Sequence, residues 1–334
     1  MARAFFIVGP TAIGKSEIAA SVARKVGAEI VSADAFQVYC GLDLLTAKPE
    51  EPTLAKAPHH LVGTTPLRDE MNAEKYRLAA SRAVDEINSR CKLAIVVGGS
   101  GLYIKALTHG LAPLPQSDPA LREKLNAMNL DDLCSQLVEL DPQTARKIDL
   151  KNRRRVVRAL EMCLLSGKSA SAQRKQWIGD AGIPRSGGLQ SAAGAIWRSP
   201  LFETTQTGLP ASPATGVFVF RDRDELYERI NRRVEAMFEN GVIEEVRAAG
   251  PMSLAASQMI GLREIRQLLE GKMSILQCVA AIQQATRRYA KRQLTWFRRQ
   301  TNFQPLNLSL LSHNEARILL RKRSEPRKLS ARDD

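Results

Sequence analysis

The chain has 334 residues, 44% of them hydrophobic and 5% aromatic, with a formal net charge of +14. That length accommodates about two domains, and so large a positive charge points to a polyanionic partner: nucleic acid, a membrane surface or a highly phosphorylated substrate. Cys40, Cys91, Cys134, Cys163 and Cys278 are scattered without a C-x-x-C pair, which excludes a zinc ribbon or disulfide framework and fits a reducing cytoplasm; no apolar run approaches the length of a membrane span.

In chain order, "AFFIV" (4–8) reads as a buried strand, followed by the loop "GPTAIGKS" (9–16) and a helix beginning "SEIAASVARKV". "AEIVSAD" (28–34) is a second strand that ends on an acid. A helical pattern runs through 73–90, and "LAIVVGG" (93–99) is a third strand, apolar on both faces. Continuously apolar strands alternating with helices predict an α/β fold, a parallel sheet covered on both sides by helices. Past Pro113 and Pro115 the pattern becomes helical and basic, giving an inserted all-helical domain over 115–178. The Gly-, Ser-, Ala- and Pro-rich stretch 179–215 reads as a flexible loop. "GVFVF" (216–220) is strand-like again. The helix after it places Leu226, Ile230, Val234 and Met237 three or four apart, and a last long helix covers 274–299. The core is thus expected over 1–114 and 216–312, with 313–334 a disordered basic tail.

Gly9, four residues, then Gly14-Lys15-Ser16 is the phosphate-cradling loop pattern. Placed between strand and helix, its N–H groups and the helix N-terminus hold a phosphate chain, Lys15 adds a charge, and the Ser16 hydroxyl can reach Mg²⁺. A nucleotide hydrolase also needs a strand ending in a metal-orienting acid. "LAIVVGG" runs instead into Gly98-Gly99-Ser100-Gly101, read either as a close backbone approach to a ligand with the Ser100 hydroxyl offered to it, or as a tight turn. The acid is Asp34, after the second strand. In a parallel sheet it stands at the same edge as the loop. There it could hold metal, accept a proton from a nucleophile, or cap a helix. The His59-His60 pair has no companion ligands nearby and reads as structural.

Two segments are basic. "KNRRRVVRALE" (151–161) groups Arg154, Arg155 and Arg158. In "TRRYAKRQLTWFRR" (286–299), Arg287, Lys291 and Arg298 share one helical stripe and Arg288, Arg292 and Arg299 the next, while Cys278, Ile282, Tyr289 and Trp296 face the other way. An acid-free stripe of this kind predicts contact with a nucleic-acid backbone.

As a set, "GPTAIGKS", "SADAFQVYCGLDLLTAKP", "PHHLV", "IVVGGSGLYIKAL", "NRRRVVRALE", "RDRDELYERINRRV" and "TRRYAKRQLTWFRR" resemble the tRNA dimethylallyltransferases, from Ala4 to about Phe303. The resemblance implies that Gly9, Pro10, Thr11, Ala12, Ile13, Gly14, Lys15 and Ser16 hold the diphosphate of dimethylallyl diphosphate with Mg²⁺, not ATP. It implies an acceptor, the exocyclic amine of the adenosine 3′ of the tRNA anticodon. Asp34 is then the base, Ser100 the hydroxyl near donor and acceptor, and Arg223 a stabiliser of the departing pyrophosphate. Asp34, Ala35, Phe36, Gln37 and Ser100, with Arg122, Arg154, Arg155, Val156, Val157 and Arg158, are the implied contacts to the tRNA anticodon stem-loop. The expected protein is a cytoplasmic monomer without a membrane partner. The chain departs from the family pattern at Ala35 (usually Ser), Ser100 (usually Thr), Val62-Gly63 (often Asp) and Cys40 (often Arg).

Three other readings share parts of this pattern. An adenylate isopentenyltransferase would use the same donor on free nucleotides, but has no need of the basic insertion. A small-molecule kinase is disfavoured by "VVGGSG". An RNA-binding protein with an inactive transferase site is separated only by activity.

Overall fold

The computed structural model describes residues 4–111, 115, 117–173, 215–300 and 303–324. Its elements, in chain order, begin with β1 (Ala4–Val8), α1 (Lys15–Val26), β2 (Glu29–Ala33), β3 (His59–His60), α2 (Ala73–Ser89), β4 (Ala94–Gly98) and α3 (Gly101–His109). Three helices follow, α4 (Pro119–Ala127), α5 (Leu130–Leu140) and α6 (Arg153–Ser166). The chain continues with β5 (Thr215–Phe220), α7 (Arg223–Glu239), α8 (Val242–Ala248), α9 (Leu262–Leu269), α10 (Ile275–Phe297), β6 (Gln304–Asn307) and α11 (His313–Ser324). It divides into two compact units, residues 1–109 with 209–334, and residues 110–208.

The first unit is built on a six-stranded sheet in the order β3-β2-β4-β1-β5-β6, every pair parallel. The period-two alternation of a strand sends Phe5 and Ile7 of β1 to one face and Phe6 and Val8 to the other. The first face is closed by α1 through Ile18, Ala19, Val22 and Ala23, by α11 through Ala316 and Leu320, and by Leu226, Ile230 and Ala290. The second is closed by Tyr76, Ala80, Val84 and Ile87 of α2, Tyr103 and Ile104 of α3, and Phe297 at the end of α10. A third cluster joins Val38, Tyr39, Leu42 and Leu45 to Val234, Met237, Leu262, Ile265, Cys278 and Ile282. Helix α10 therefore enters all three clusters. The second unit packs α4, α5 and α6 around Leu125, Leu133, Leu137, Val156, Val157 and Leu160.

Two strands were not foreseen. β3 is two residues long and β6 contains Pro305; both lie at sheet edges, where short runs and proline are tolerated and leave no apolar signature. The expectation of disorder from residue 313 is corrected over 313–324. There α11 buries Ala316, Leu320 and Ser324 at four-residue spacing, a stripe hidden among charged residues and visible only when the window starts before "RKRS". Residues 325–334 and 179–214 of the expected loop lie outside the described residues, and Thr215 begins β5.

Gly98 joins the fold to the site. It pairs with Val8 on one side and Ala33 on the other, and a Cβ there would stand 2.1 Å from the Ala33 carbonyl oxygen. Gly98→Ala should therefore force the β2 and β4 ends apart. The expected loss is about 1–3 kcal/mol, the usual cost of overpacking, read as a lower urea midpoint at unchanged slope.

Candidate active site

In a parallel sheet the strand C-termini share one edge, so the segments after β1, β2 and β4 meet. The glycine loop leaves β1 there. Gly9 N–H donates to Gly98 O at 3.2 Å, and Gly14 caps α1 in the left-handed region at φ 89° with no side-chain cap. The first amides of α1 are thus left without a capping side chain, the usual form of an anion-binding helix end. Ala12 is also left-handed, at φ 65°, a conformation that costs a non-glycine residue about 1–2 kcal/mol. Arginines brace it: Arg229 Nε donates to Ala12 O at 2.9 Å and Arg221 Nε to Ile13 O at 3.1 Å. Arg233 Nη1 donates to Thr11 Oγ1 at 2.9 Å.

Helix α10 closes the loop from another side. Gln293 Oε1 accepts from Thr11 N–H at 2.9 Å, and its Nε2 donates to Gly99 O at 2.9 Å. Gly99 and Gly101 carry no Cβ because one would meet Gln293 and the Trp296 ring at 2.3 and 2.5 Å. The glycines after β4 are therefore filled by protein on the α10 side. The Ser100 hydroxyl accepts from Ala35 N–H at 2.9 Å and Ser100 N–H donates to Ala33 O at 3.2 Å, so the β2 and β4 turns are stitched together. Tyr289 lies close enough to Ser100 and Gln293 for both to act on its hydroxyl.

Asp34 Oδ1 accepts from Phe36 N–H at 2.9 Å and Gln37 N–H at 3.2 Å. It caps a turn, where one of the sequence alternatives held a helix. Both bonds fall on one oxygen, so Oδ2 is not spent on the turn. The carboxylate acts electrostatically on Lys15, Arg233, Tyr76, Tyr103 and Tyr289. Burial lowers the Lys15 pKa from its ordinary 10.5 to about 7; Asp34 opposes the shift and Arg233 adds to it. Burial raises Tyr289, and Asp34 raises it further. Ser16 lines a cleft with Ser32, Gln37, Pro49, His59 and Val62. His60 is paired with Glu29 at 2.8 Å and His59 Nδ1 with Ala57 O at 2.7 Å.

The IPP transferase family profile matches residues 37–300. A tRNA dimethylallyltransferase from Akkermansia muciniphila is 39% identical over 295 residues, 88% of this chain and 90% of the relative. One from Caulobacter is 39% identical over 303 residues, 88% of this chain and 89% of the relative. The crystal structure of a tRNA isopentenylpyrophosphate transferase from Bacillus halodurans superposes with a TM-score of 0.64 at 28% identity, covering 96% of this chain and 95% of that one. The chain belongs to the IPP transferase family.

In this IPP transferase the strand ends bring Asp34, Ser100 and Lys15 to one edge, and Arg223 opens α7 three residues past the end of β5, which is parallel to β1. Arg223 is exposed at the start of α7, its guanidinium 5.2 Å from the centre of the Tyr227 ring. The arginines bonded to the loop are Arg221, Arg229 and Arg233. Sequence reasoning used α7 only for its apolar period and missed them, along with Gln293 and the Tyr289 hydroxyl. The four-residue step from Arg229 to Arg233, which places both on one helical face, was the available signal. On α10 and just past its end, Arg288, Lys291, Arg292, Arg298 and Arg299 are exposed as expected. Arg287 is not part of that face: it turns to Asn231, at 2.5 Å, and lies over Tyr227. In the second unit Arg154 and Arg155 are exposed, but Val156 and Val157 are buried core residues whose side chains are closed to RNA. Arg122 and Arg158 both bind the fully buried Glu161, at 3.0 and 2.6 Å. Among the described residues no helix is long and apolar enough to cross a membrane.

The Lys15 shift gives a signed prediction. Its folded pKa lies below the unfolded value, so between pH 7 and 10.5 the unfolded chain holds the extra proton and this group's contribution to stability rises with pH. A diphosphate in the loop favours the charged lysine and opposes that trend. Affinity for a prenyl diphosphate should therefore weaken above pH 7, by up to about tenfold per pH unit for one linked proton. Lys15→Arg, which keeps its charge, should flatten the slope of log Kd over pH 7–9.

Proposed function

We propose that this chain transfers a dimethylallyl group from dimethylallyl diphosphate to the exocyclic amine of the adenosine 3′ of the anticodon in tRNA, releasing pyrophosphate. One observation carries the reading: Asp34 stands within electrostatic reach of the loop's Lys15, while β4 ends in glycines and a serine where a nucleotide hydrolase needs an acid. The site has a phosphate cradle and a base, without the means to orient water at a γ-phosphate.

The adenine amine is a weak nucleophile because its lone pair is delocalised into the ring. It attacks the donor carbon bonded to the diphosphate oxygen. The new C–N bond forms as the C–O bond breaks, the leaving oxygen keeps the bonding electrons, and the amine proton passes to Asp34. Charge thus develops on pyrophosphate, where the loop amides, the start of α1 and Lys15 oppose it. Arg223 is assigned to the same charge by family resemblance. The Ser100 hydroxyl, tied to Ala35 N–H, keeps the Asp34 turn in register with the β4 turn.

Mg²⁺ fits this site. Ser16 offers one hydroxyl in its cleft, and Mg²⁺ characteristically completes its shell with substrate phosphate oxygens and water. When bound, the ion neutralises part of the leaving charge. For the acceptor, the exposed cations of α10 with Arg154 and Arg155 hold the RNA backbone, and residues 34–37 meet the extruded base, whose unstacking costs a few kcal/mol. The protein acts in this reading as a cytoplasmic monomer.

Purified protein incubated with radiolabelled dimethylallyl diphosphate, Mg²⁺ and either unmodified tRNA or AMP should label the tRNA alone, with no requirement for ATP. Label on AMP would turn the reading to an adenylate isopentenyltransferase; ATP hydrolysis in step with transfer would return the kinase reading. Asp34→Asn should lower single-turnover transfer by about 10² or more, the low end for a positioned base, with tRNA affinity changed far less. Charge-neutralising Arg288 and Arg292 should weaken tRNA binding and flatten its salt dependence; an unchanged slope of log K against log salt would move the RNA face elsewhere.

A further inference from the structure

The two rings of the His59-His60 pair face opposite ways. β3 pairs with β2 in the register Ile30↔His59 and Val31↔His60. Alternation along the strand therefore puts His60 on the face of Glu29 and Val31, where it bonds Glu29 at 2.8 Å. His59 lies on the face of Ile30, the side of the sheet that α1 covers. Its ring lines the cleft that also contains Ser16.

The hydrogen bonds of His59 fix what it offers there. Its Nδ1 lies 2.7 Å from Ala57 O. A carbonyl oxygen only accepts, so Nδ1 carries the hydrogen, and in the neutral ring Nε2 is then a bare lone pair. That Nε2 is shut off from solvent and has no partner. Buried polar atoms in folded proteins are hydrogen-bonded, and each exception calls for the group that completes it. Ser16, the hydroxyl assigned to Mg²⁺, lines the same cleft without a hydrogen bond to this nitrogen. The missing donor is one that fits between the two.

Water on the metal has that chemistry. Mg²⁺ dehydrates reluctantly and keeps several waters, and the ion draws charge from each of them, which makes their O–H groups strong donors. Direct ligation by the imidazole is the poorer match. Mg²⁺ takes oxygen ligands, whereas imidazole nitrogen suits zinc, copper, iron and nickel. Among the described residues no group of three or more His, Cys, Asp or Glu could hold such an ion.

We infer that His59 is a positioning residue of the metal shell, its Nε2 accepting a hydrogen bond from a water on the Mg²⁺ that Ser16 and the diphosphate hold. The inference rests on the donor-site and Mg²⁺ reading given above and adds to it an outer partner from the edge strand β3. Outer partners of this kind orient the ligands of an ion, and losing one typically lowers metal affinity by about 10- to 100-fold.

The test separates the two nitrogens of the ring. In His59→Asn the side-chain amide can stand at the Nδ1 position and still donate to Ala57 O, with nothing at Nε2. In His59→Gln the amide oxygen can stand at the Nε2 position, with the Ala57 bond lost. Binding of inorganic pyrophosphate to full-length wild type and both variants is measured by titration calorimetry at about pH 8, where an ordinary imidazole is neutral, in EDTA and across a series of Mg²⁺ concentrations. Pyrophosphate affinity in EDTA should be the same in all three proteins. The Mg²⁺ concentration giving half of the gain in affinity should rise by about tenfold or more in His59→Asn and stay near wild type in His59→Gln. A ring that only braces Ala57 predicts the reverse order. In ¹⁵N-labelled wild type the His59 Nε2 resonance, identified by its absence in the variants, should move when Mg²⁺ and pyrophosphate are added together and hold its position with pyrophosphate in EDTA, a readout that needs no variant to fold. Asn equal to wild type, Gln as impaired as Asn, or a resonance that Mg²⁺ does not move would each overturn the inference and leave His59 a brace for the turn before β3. Wild type whose pyrophosphate affinity gains nothing from Mg²⁺ would instead overturn the Mg²⁺ reading, and wild type that binds no pyrophosphate would overturn the donor-site reading; the inference falls with either.

Discussion

The side-chain amide of Gln293 is the interaction on which the site depends. It is 5% exposed, accepts from Thr11 N–H and donates to Gly99 O. A buried amide must satisfy both ends or lose a large part of its transfer free energy. Here the two ends lie on the loops after β1 and β4. The bond pair therefore fixes the orientation of the amide, the spacing of the two loops and the position of α10 over the strand ends, all at once. It also withdraws Thr11 N–H from the amides available to a ligand. The Gly99 position follows from the same contact, because no side-chain carbon fits between the Gly99 backbone and Gln293.

Around that bridge the site is arranged before any ligand is present. Ala12 stays in a left-handed conformation while Arg229 holds its carbonyl. Ser100 ties the β2 turn to the β4 turn, and Asp34 is fixed by two backbone N–H groups on one oxygen. The cations are the least settled members. Burial depresses Lys15 and leaves part of Arg233 without a partner. A site that is geometrically complete and electrostatically incomplete spends little on reorganisation when an anion binds, and most of its response is in charge.

The sheet was legible in the sequence wherever a strand is buried on both faces: β1, β2, β4 and β5 are runs of apolar residues between glycine or polar breaks. The edge strands were not, because β3 is a histidine pair and β6 contains proline. The glycine loop and the acid after β2 were readable from spacing, and the topology then brings them to one edge. Arg221, Arg229, Arg233, Gln293 and Tyr289 were not read, for a common physical reason. Each lies on a helix or strand end whose pattern is accounted for by its apolar residues, and its partner is more than 180 residues away in sequence. Local period fixes which face of an element is buried, but does not say that a polar side chain on the buried face has a backbone loop waiting for it.

Helix α10 shows how much information such an exception holds. Its buried positions are Cys278, Ile282, Thr286, Ala290, Gln293 and Phe297, spaced four, four, four, three and four residues apart, as a single helical stripe requires. Four of the six are apolar, small or sulfur-bearing. Thr286 and Gln293 break the pattern, and a buried polar residue is more informative than a buried apolar one because it must be explained. Gln293 is explained by the loops it joins. The opposite side of the same turn carries Lys291 and Arg292, both exposed, with the Arg292 guanidinium 5.7 Å from the centre of the Tyr289 ring. One turn of helix thus presents cations to solvent and hydrogen bonds to the glycine loop. Any ligand that orders the exposed side chains of this turn touches the element that also spaces the phosphate loop from Gly99.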